Sequence, residues 1–114
     1  MPSGNLAILT LTVAAAGAVA ENRFVTQAGA YPAAAAKGFG VARHAAAAAG
    51  ELIAVDVQGT TVVEAGAAFA KDAALELDAT GRVIVKASGV GVARAMEAAT
   101  AAGAFVEVLL TPSA

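Results

Sequence analysis

The sequence predicts an all-β, mainly antiparallel fold: a small β-barrel or sandwich built from two pseudo-repeated halves, with at most short helical turns. Three observations support this fold class. A hexapeptide occurs twice, short apolar segments are separated by turn residues about every eight to twelve positions, and no stretch keeps a helical period over a long window. The barrel is favoured because two copies of one unit, related by a pseudo-twofold axis, can close on each other and remove the exposed sheet edges.

The repeat is clearest in the segment Gly38–Arg43, which returns as Gly89–Arg94, 51 positions later. Matching residues lie about 50 positions apart upstream of this hexapeptide and 53 apart downstream, as expected when short loop insertions separate two copies. We therefore predict a first repeat at about 12–57 and a second repeat at about 61–110. A unit of about fifty residues lies near the lower limit for an independent core, so the two repeats are expected to share one core.

Length and composition predict a single domain, 6–114, behind a flexible N-terminal arm, 1–5. Hydrophobic residues make up 59% of the chain and charged residues 14%, which favours burial against neighbouring subunits over a solvated monomer. The net charge of −2 provides no basic surface for nucleic acid or anionic lipid, so neither is predicted as a partner. The sequence contains no Cys, which excludes a disulfide framework and thiolate metal sites.

The segment Leu6–Ala20 is uncharged and ends like a signal-peptide cleavage site. No basic residue precedes it, and Thr10 and Thr12 alternate with apolar neighbours, so a half-buried strand is the preferred interpretation. Glu21 follows too soon for a membrane span, which needs about twenty apolar residues. The chain is therefore predicted to be soluble.

The first three strands follow from alternation and turn residues. Leu6–Val13 is the first strand, and a second is predicted around Arg23–Thr26 before a Gly- and Pro-containing turn. The first copy of the hexapeptide forms the third. Its Gly residues at alternate positions leave space on one face, while Phe39 and Val41 are expected to face the core.

The fourth strand and its counterpart near the end of the chain show the sharpest alternation. In the first repeat Ile53, Val55 and Val57 share the inward face, and Asp56 belongs to the outward face with Ala and Gln neighbours. The corresponding inward residues of the second repeat are Val106, Val108 and Leu110.

The outward face of this last strand includes Phe105 and Leu109 beside Glu107, which is more apolar than a solvated face allows. We predict that Phe105 and Leu109 lie in a subunit contact.

The most regular hairpin lies in the second repeat. Leu75 and Leu77 alternate with acidic residues, the turn is Asp78–Gly81, and Val83 and Val85 alternate with Arg82, Ile84 and Lys86. Two Ala-rich stretches, at 44–49 and 95–102, lack an amphipathic stripe and are predicted to be wide connections with at most one helical turn.

Few residues could carry chemistry. His44 is the only His, so His-ligated metal clusters are excluded, and no nucleophile has an obvious base beside it. An exposed or locally hydrogen-bonded role is preferred for His44 over general-base catalysis. The doubled Gly-x-Gly lacks the third Gly and the long helix of a nucleotide-binding loop, so sheet packing explains it better. No enzymatic activity and no cofactor are predicted.

Four charged residues are candidate sites. Glu76 and Asp78 share one face of a strand and could form an acid pair or a loose cation site, but a solvated face is the preferred interpretation. Arg43 and Arg94 end the two hexapeptides in matching places. This favours a shared structural role, such as pairing with acidic residues across the pseudo-axis or at a subunit border.

Taken together, several motifs resemble the capsid cement, or head decoration, proteins of tailed bacteriophages. They are the repeated Gly-Val-Ala-Arg, the Ala-rich connection ending in Ala-Gly, the strand in which Val alternates with acidic residues, the central Glu64–Ala67, and the closing Val-Glu-Val-Leu-Leu. The resemblance covers nearly the whole chain after the arm. The Ala run at 33–36 departs from the pattern and leaves the geometry of that loop open.

The resemblance implies a small β-rich protein, usually a homotrimer, made in the host cytoplasm and attached to the outer surface of an expanded capsid. Its partners are the major capsid protein and copies of itself, and it stabilises the shell without a cofactor. The arm residues Pro2, Ser3, Gly4 and Asn5 are the candidates for contact with the shell. A small barrel that binds a ligand or acts as an enzyme, and a phage tail or baseplate component, remain the alternatives.

Overall fold

The computed structural model describes residues 6–111, which form eight β-strands and no helix. No membrane-spanning helix therefore occurs within those residues. The strands are β1 (Leu6–Ala14), β2 (Phe24–Val25), β3 (Gly40–Ala42), β4 (Leu52–Glu64), β5 (Ala74–Leu77), β6 (Val83–Val85), β7 (Ala93–Ala95) and β8 (Phe105–Leu110).

All the strands belong to one antiparallel sheet, in the order β2-β3-β4-β8-β7-β5-β6, with β1 paired to β4. The sheet curls, and an isolated parallel bridge between Ala65 and Val83 brings β6 back to the end of β4. The predicted hairpin is present, with Leu75 opposite Val85 and Leu77 opposite Val83. The predicted all-β, barrel-like fold is therefore confirmed.

The two repeats make matching backbone hydrogen bonds. Val19 and Ala46 exchange two N–H···O bonds of 3.0 Å, and their counterparts Phe69 and Ala99 exchange bonds of 3.1 and 3.0 Å. These bridges anchor the two Ala-rich connections, which otherwise consist of bends and turns. Corresponding residues lie 50 positions apart as far as β2 and β5 and 53 positions apart from β3 and β7 onward.

The same correspondence includes unusual backbone conformations. Asn22 and Asp72 have φ values of 61° and 72°, and Gly50 and Gly103 have φ values of 90° and 89°. Residues with short polar side chains or no side chain tolerate this left-handed region best.

The structural register of the repeats differs from the hexapeptide match by two residues. Ala42 pairs with Val55 in the first repeat, and Ala95 pairs with Val108 in the second. Arg43 therefore corresponds to Met96 and not to Arg94, so the predicted equivalence of the two arginines is wrong. A shift of two keeps every side chain on its own face of the sheet, which is why the local sequence did not reveal it.

Each repeat has its own hydrophobic core, so the prediction of one shared core is also wrong. The first core contains eight buried residues: Val13, Ala15, Val19, Val25, Ala42, Ala46, Ile53 and Val55. Their counterparts all lie in the second core: Val63, Ala65, Phe69, Leu75, Ala95, Ala99, Val106 and Val108. Because most of these side chains are small, each curled section of sheet can fill its own interior.

The second core is larger because the first repeat contributes to it. Phe24 and Val41 belong to the first repeat in sequence, yet both are buried in the second core. The two cores are therefore joined side by side and not merged.

β4 runs through both repeats. Its first half pairs with β3 of the first repeat, and its second half pairs with β8 of the second repeat. Between the halves lies Gly59, with a φ of 99°, opposite a register irregularity in β1. A Cβ at Gly59 would overlap the carbonyl oxygen of Leu6, so this close approach requires glycine.

Replacing Gly59 with Ala should lower the free energy of unfolding by at least about 2 kcal/mol, because it adds a steric clash with β1 to the strain of a positive φ. Gly50→Ala is the matched control, since Gly50 has a similar φ but open space around its Cα position. We expect that control to lose only about 1 kcal/mol. Urea unfolding of both variants measures the difference, and equal losses would contradict the close-approach explanation.

Candidate functional site

A buried carboxylate holds the bend of β4. Asp56 is fully buried, although the alternation of its strand had placed it on the outward face. It accepts hydrogen bonds of 2.9 Å from the hydroxyls of Thr10 and Thr61, and Nε of Arg43 lies 3.5 Å from its Oδ1. Thr10, Thr61 and Arg43 surround the carboxylate, so the outward face of β4 is covered at this residue.

Glu76 and Asp78 serve loops, so neither a solvated face nor a loose cation site describes them. Glu76 is buried and accepts hydrogen bonds from the backbone N–H groups of Ala87 at 2.7 Å and Gly89 at 3.0 Å. Asp78 accepts bonds from the backbone N–H groups of Thr80 and Arg82 and so closes the hairpin turn. Within residues 6–111 no cluster of acidic residues and His could hold a metal ion.

The same hydrogen bonds shift the pKa values of these two carboxyls. The N–H groups of Ala87 and Gly89 lower the pKa of Glu76 below its ordinary value of 4.5. Burial alone would raise the pKa of Asp78, but the hydrogen bonds from Thr80 and Arg82 outweigh it and lower the pKa below 3.8. Both groups therefore favour the ionised form in the folded protein.

The ion pairs lie elsewhere than predicted. Arg43 and Arg94 pair with acidic residues of their own repeats, Asp56 and Asp72, and not across an axis between repeats. Both arginine side chains are about half exposed.

The pair that does join the repeats was missed. Arg23 of the first repeat makes two contacts of 3.2 and 3.3 Å to Glu64, which also lies 3.4 Å from Arg82 of the hairpin. No local signal distinguishes these residues, because they meet only when the second repeat folds against the first.

His44 has a local structural role. Its side chain is exposed, and its Nε2 accepts a hydrogen bond of 3.2 Å from the backbone N–H of Ala54. The preferred interpretation of His44 is therefore confirmed.

The loop that contains the Ala run at 33–36 crosses from the first repeat to the second. Ala35 has a φ of 64°, donates to the carbonyl of Leu77 and accepts from the N–H of Val90. This loop of the first repeat is thereby tied to the second repeat.

The exposed apolar residues form the candidate interaction surfaces. On β8, Phe105 and Leu109 are 49% and 43% exposed, as predicted, and Leu109 lines an open groove of about 480 Å³ with Met96 and Arg94. Their place in a subunit contact stays a prediction. Glu107 between them is buried, with its backbone N–H bonded to Glu97.

A second apolar surface lies on β1, and the sequence did not reveal it. Four large apolar side chains of this strand are exposed, although alternation predicted a half-buried strand: Leu6, Ile8, Leu9 and Leu11. The predicted shell-contact residues Pro2, Ser3, Gly4 and Asn5 lie outside the described residues, directly before this strand.

We expect Asp56→Asn to lower the free energy of unfolding by about 1–3 kcal/mol, because a buried carboxylate loses charge-assisted hydrogen bonds. Asp72→Asn is the control: Asp72 belongs to an exposed ion pair, for which we expect a loss below about 1 kcal/mol. Chemical denaturation of both variants gives these values. A loss in Asp72→Asn as large as in Asp56→Asn would contradict the role of the buried network.

Stability should also fall in acid. Because the folded pKa of Glu76 and Asp78 lies below the unfolded value, their contribution is complete above the unfolded pKa and disappears as the pH falls through the folded pKa. Glu76→Gln should therefore flatten the decline in unfolding free energy between about pH 6 and pH 3. The exposed Glu21→Gln serves as control, and an identical decline in both variants would refute the assignment to Glu76.

Comparisons with known proteins agree with this geometry. The family model for the phage cement protein matches residues 2–110. The fold is similar to the crystal structure of the N base of head fiber gp8.5 in bacteriophage phi29, with a TM-score of 0.72 and 19% sequence identity over 92% of this chain and 95% of that chain. No curated protein sequence matches the chain.

At that identity the structural likeness shows a shared fold. The family match extends further, because it spans both repeats and nearly the whole sequence. The chain belongs to the phage cement protein family and is a structural protein of the phage head.

Proposed function

We propose that this protein is a homotrimeric decoration protein that binds the major capsid protein on the outer surface of the phage head and stabilises the expanded shell. The observation that carries the proposal is the family match across residues 2–110. The exposed apolar surfaces of β1 and β8 support it, because a cement protein acts by burying area at subunit junctions.

The extent of exposed apolar surface supports self-association. Within residues 6–111, nine large apolar side chains are at least 40% exposed, and four of them lie on β1 alone. An edge strand of nine residues without charge or Pro is unprotected against pairing with other chains, so a covering partner is expected.

A rigid interior supports the proposal that the protein resists mechanical force on the shell. Among the described residues, every buried side-chain N or O atom has a hydrogen-bond partner. Asp56 and Glu76 hold the bend of β4 and the loop after β6 from inside. A domain so fixed transmits force between neighbouring capsid subunits without first deforming.

Attachment to the shell is assigned to the arm, residues 1–5, which continues from the exposed start of β1. A short arm gives a weak single contact. Three arms on one trimer act together, since the second and third bind at a high effective concentration.

Mixing the purified protein with empty expanded capsids and sedimenting them tests the proposal. We expect the protein to pellet with the capsids and to raise the temperature at which they break. The shell contact is assigned to an arm without charged side chains, so this binding should change little with salt. A variant that lacks residues 2–5 should pellet less, with its far-UV circular dichroism unchanged. No pelleting at any salt concentration, or pelleting with isolated tails instead, would refute the capsid role.

A further inference from the structure

The contact between the two repeats within one chain joins different parts of each. The second repeat contributes the start of its sequence, Thr60–Glu64, which we call the docking segment. It lies against the first repeat at Asn22, Arg23 and Asp56, which we call the receiving surface. Thr61 donates to Asp56 at 2.9 Å, Asn22 Nδ2 donates to the carbonyl of Val62 at 3.0 Å, and Arg23 pairs with Glu64.

Because the repeats correspond residue by residue, each repeat has its own copy of both parts. The counterpart of the docking segment is Thr10–Ala14 on β1, and the counterpart of the receiving surface is Asp72, Ala73 and Leu109. The backbone agrees, since Thr10 lies opposite Asp56 as Thr60 lies opposite Leu109.

Both counterparts are exposed. Thr61 is 1% exposed and its counterpart Leu11 is 40% exposed; Asp56 is fully buried and its counterpart Leu109 is 43% exposed. A twofold relation between the repeats would bury both pairs equally. The repeats are instead arranged head to tail, which leaves one docking segment and one receiving surface open.

The side chains at the two open ends match each other. Where the chain pairs Asp56 with Thr61 by a hydrogen bond, the open ends offer Leu109 and Leu11, an apolar pair. Where the chain pairs Arg23 with Glu64, the open ends offer Ala73 and Ala14, so no charge would be left buried alone. Two of the three polar contacts within the chain thus have an apolar or small pair as their counterpart. The third, between Asn22 and the carbonyl of Val62, corresponds to Asp72 and Thr12, and Asp72 is already paired with Arg94.

We infer that the docking segment of β1 in one copy binds the receiving surface of the second repeat in the next copy, and so repeats between chains the contact made within each chain. This inference rests on the self-association in the proposed function. The occupant is a second copy because its β1 has the backbone form that already fits the equivalent surface. The apolar replacement suits a contact without a covalent link, since apolar burial supplies the association energy.

Such a contact is heterologous, so it forms a ring if the rotation between copies closes. Three copies joined in this way would place six similar repeats around one axis, three junctions within chains and three between them. The homotrimer would then have one kind of junction throughout, built with polar pairs inside the chain and apolar pairs between chains.

Charge introduced at either side of the junction tests the inference. Leu11→Asp and Leu109→Asp should each weaken trimer formation at least tenfold, as measured by light scattering over a range of protein concentrations. Val85→Asp is the control, because Val85 is 50% exposed but belongs to neither surface. Circular dichroism checks the fold of each variant. Trimers of wild-type strength in both variants would overturn the inference.

A disulfide gives a second measurement that does not depend on stability. The chain has no Cys, so Leu11→Cys and a size-tagged Leu109→Cys can be mixed and oxidised without side reactions. We expect the cross-link between the two different variants to form in clear excess over cross-links between identical variants. If identical variants cross-link as well as different ones, the head-to-tail contact is wrong.

The capsid role is measured separately by sedimentation of the wild-type protein. A trimer that binds capsids but shows no mixed cross-link would overturn only this inference. A wild-type protein that stays monomeric up to millimolar concentration would overturn both the inference and the homotrimer. Sedimentation with capsids would still measure whether the monomer binds the shell.

Discussion

The structure depends on one continuous strand. β4 is thirteen residues long, the last strand of the first repeat and the first strand of the second, and it bends at Gly59. Asp56 holds this bend. Its buried carboxylate accepts hydrogen bonds from the hydroxyl of Thr10 on one side and from the hydroxyl of Thr61 on the other. Thr10 belongs to β1 and Thr61 to the second half of β4. One carboxylate therefore holds both segments in place and so sets how the second repeat lies against the first.

Duplication explains both the strength and the asymmetry of this arrangement. The eight core positions of the first repeat recur in the second, almost all as small apolar residues, so the backbone of the unit is kept. Positions outside the two cores have diverged: Asp56 corresponds to Leu109, and Arg43 to Met96. An ion pair inside the chain is thereby replaced by an exposed apolar pair. A head-to-tail pair of repeats has two unmatched ends, and an apolar residue is exposed at each of them, Leu11 at one and Leu109 at the other.

The polar groups of the described residues are used for architecture. Glu76 holds the loop after β6, Asp78 closes the hairpin, Glu64 joins Arg23 to Arg82, and His44 accepts a backbone N–H. These roles agree with a structural protein of the phage head, whose work is done by surface burial. They also explain how a chain with only 14% charged residues keeps its shape: its few charges are placed at bends, turns and the junction of the repeats.

The sequence by itself determined the elements and the family. Alternation located β1, β4 and β8, the turn residues located the hairpin at Asp78, and the repeated motifs indicated a phage cement protein. Those signals are local, because the alternation of a strand and the conformation of a turn each depend on a few neighbouring residues. Only the tertiary structure decided the register of the hexapeptides, the two separate cores, the burial of Asp56 and Glu76, and the exposure of β1. The physical reason is that burial of a strand face depends on which distant segment crosses it. A shift of two residues, or side chains from distant residues that cover the outward face, leaves the local pattern of apolar residues unchanged.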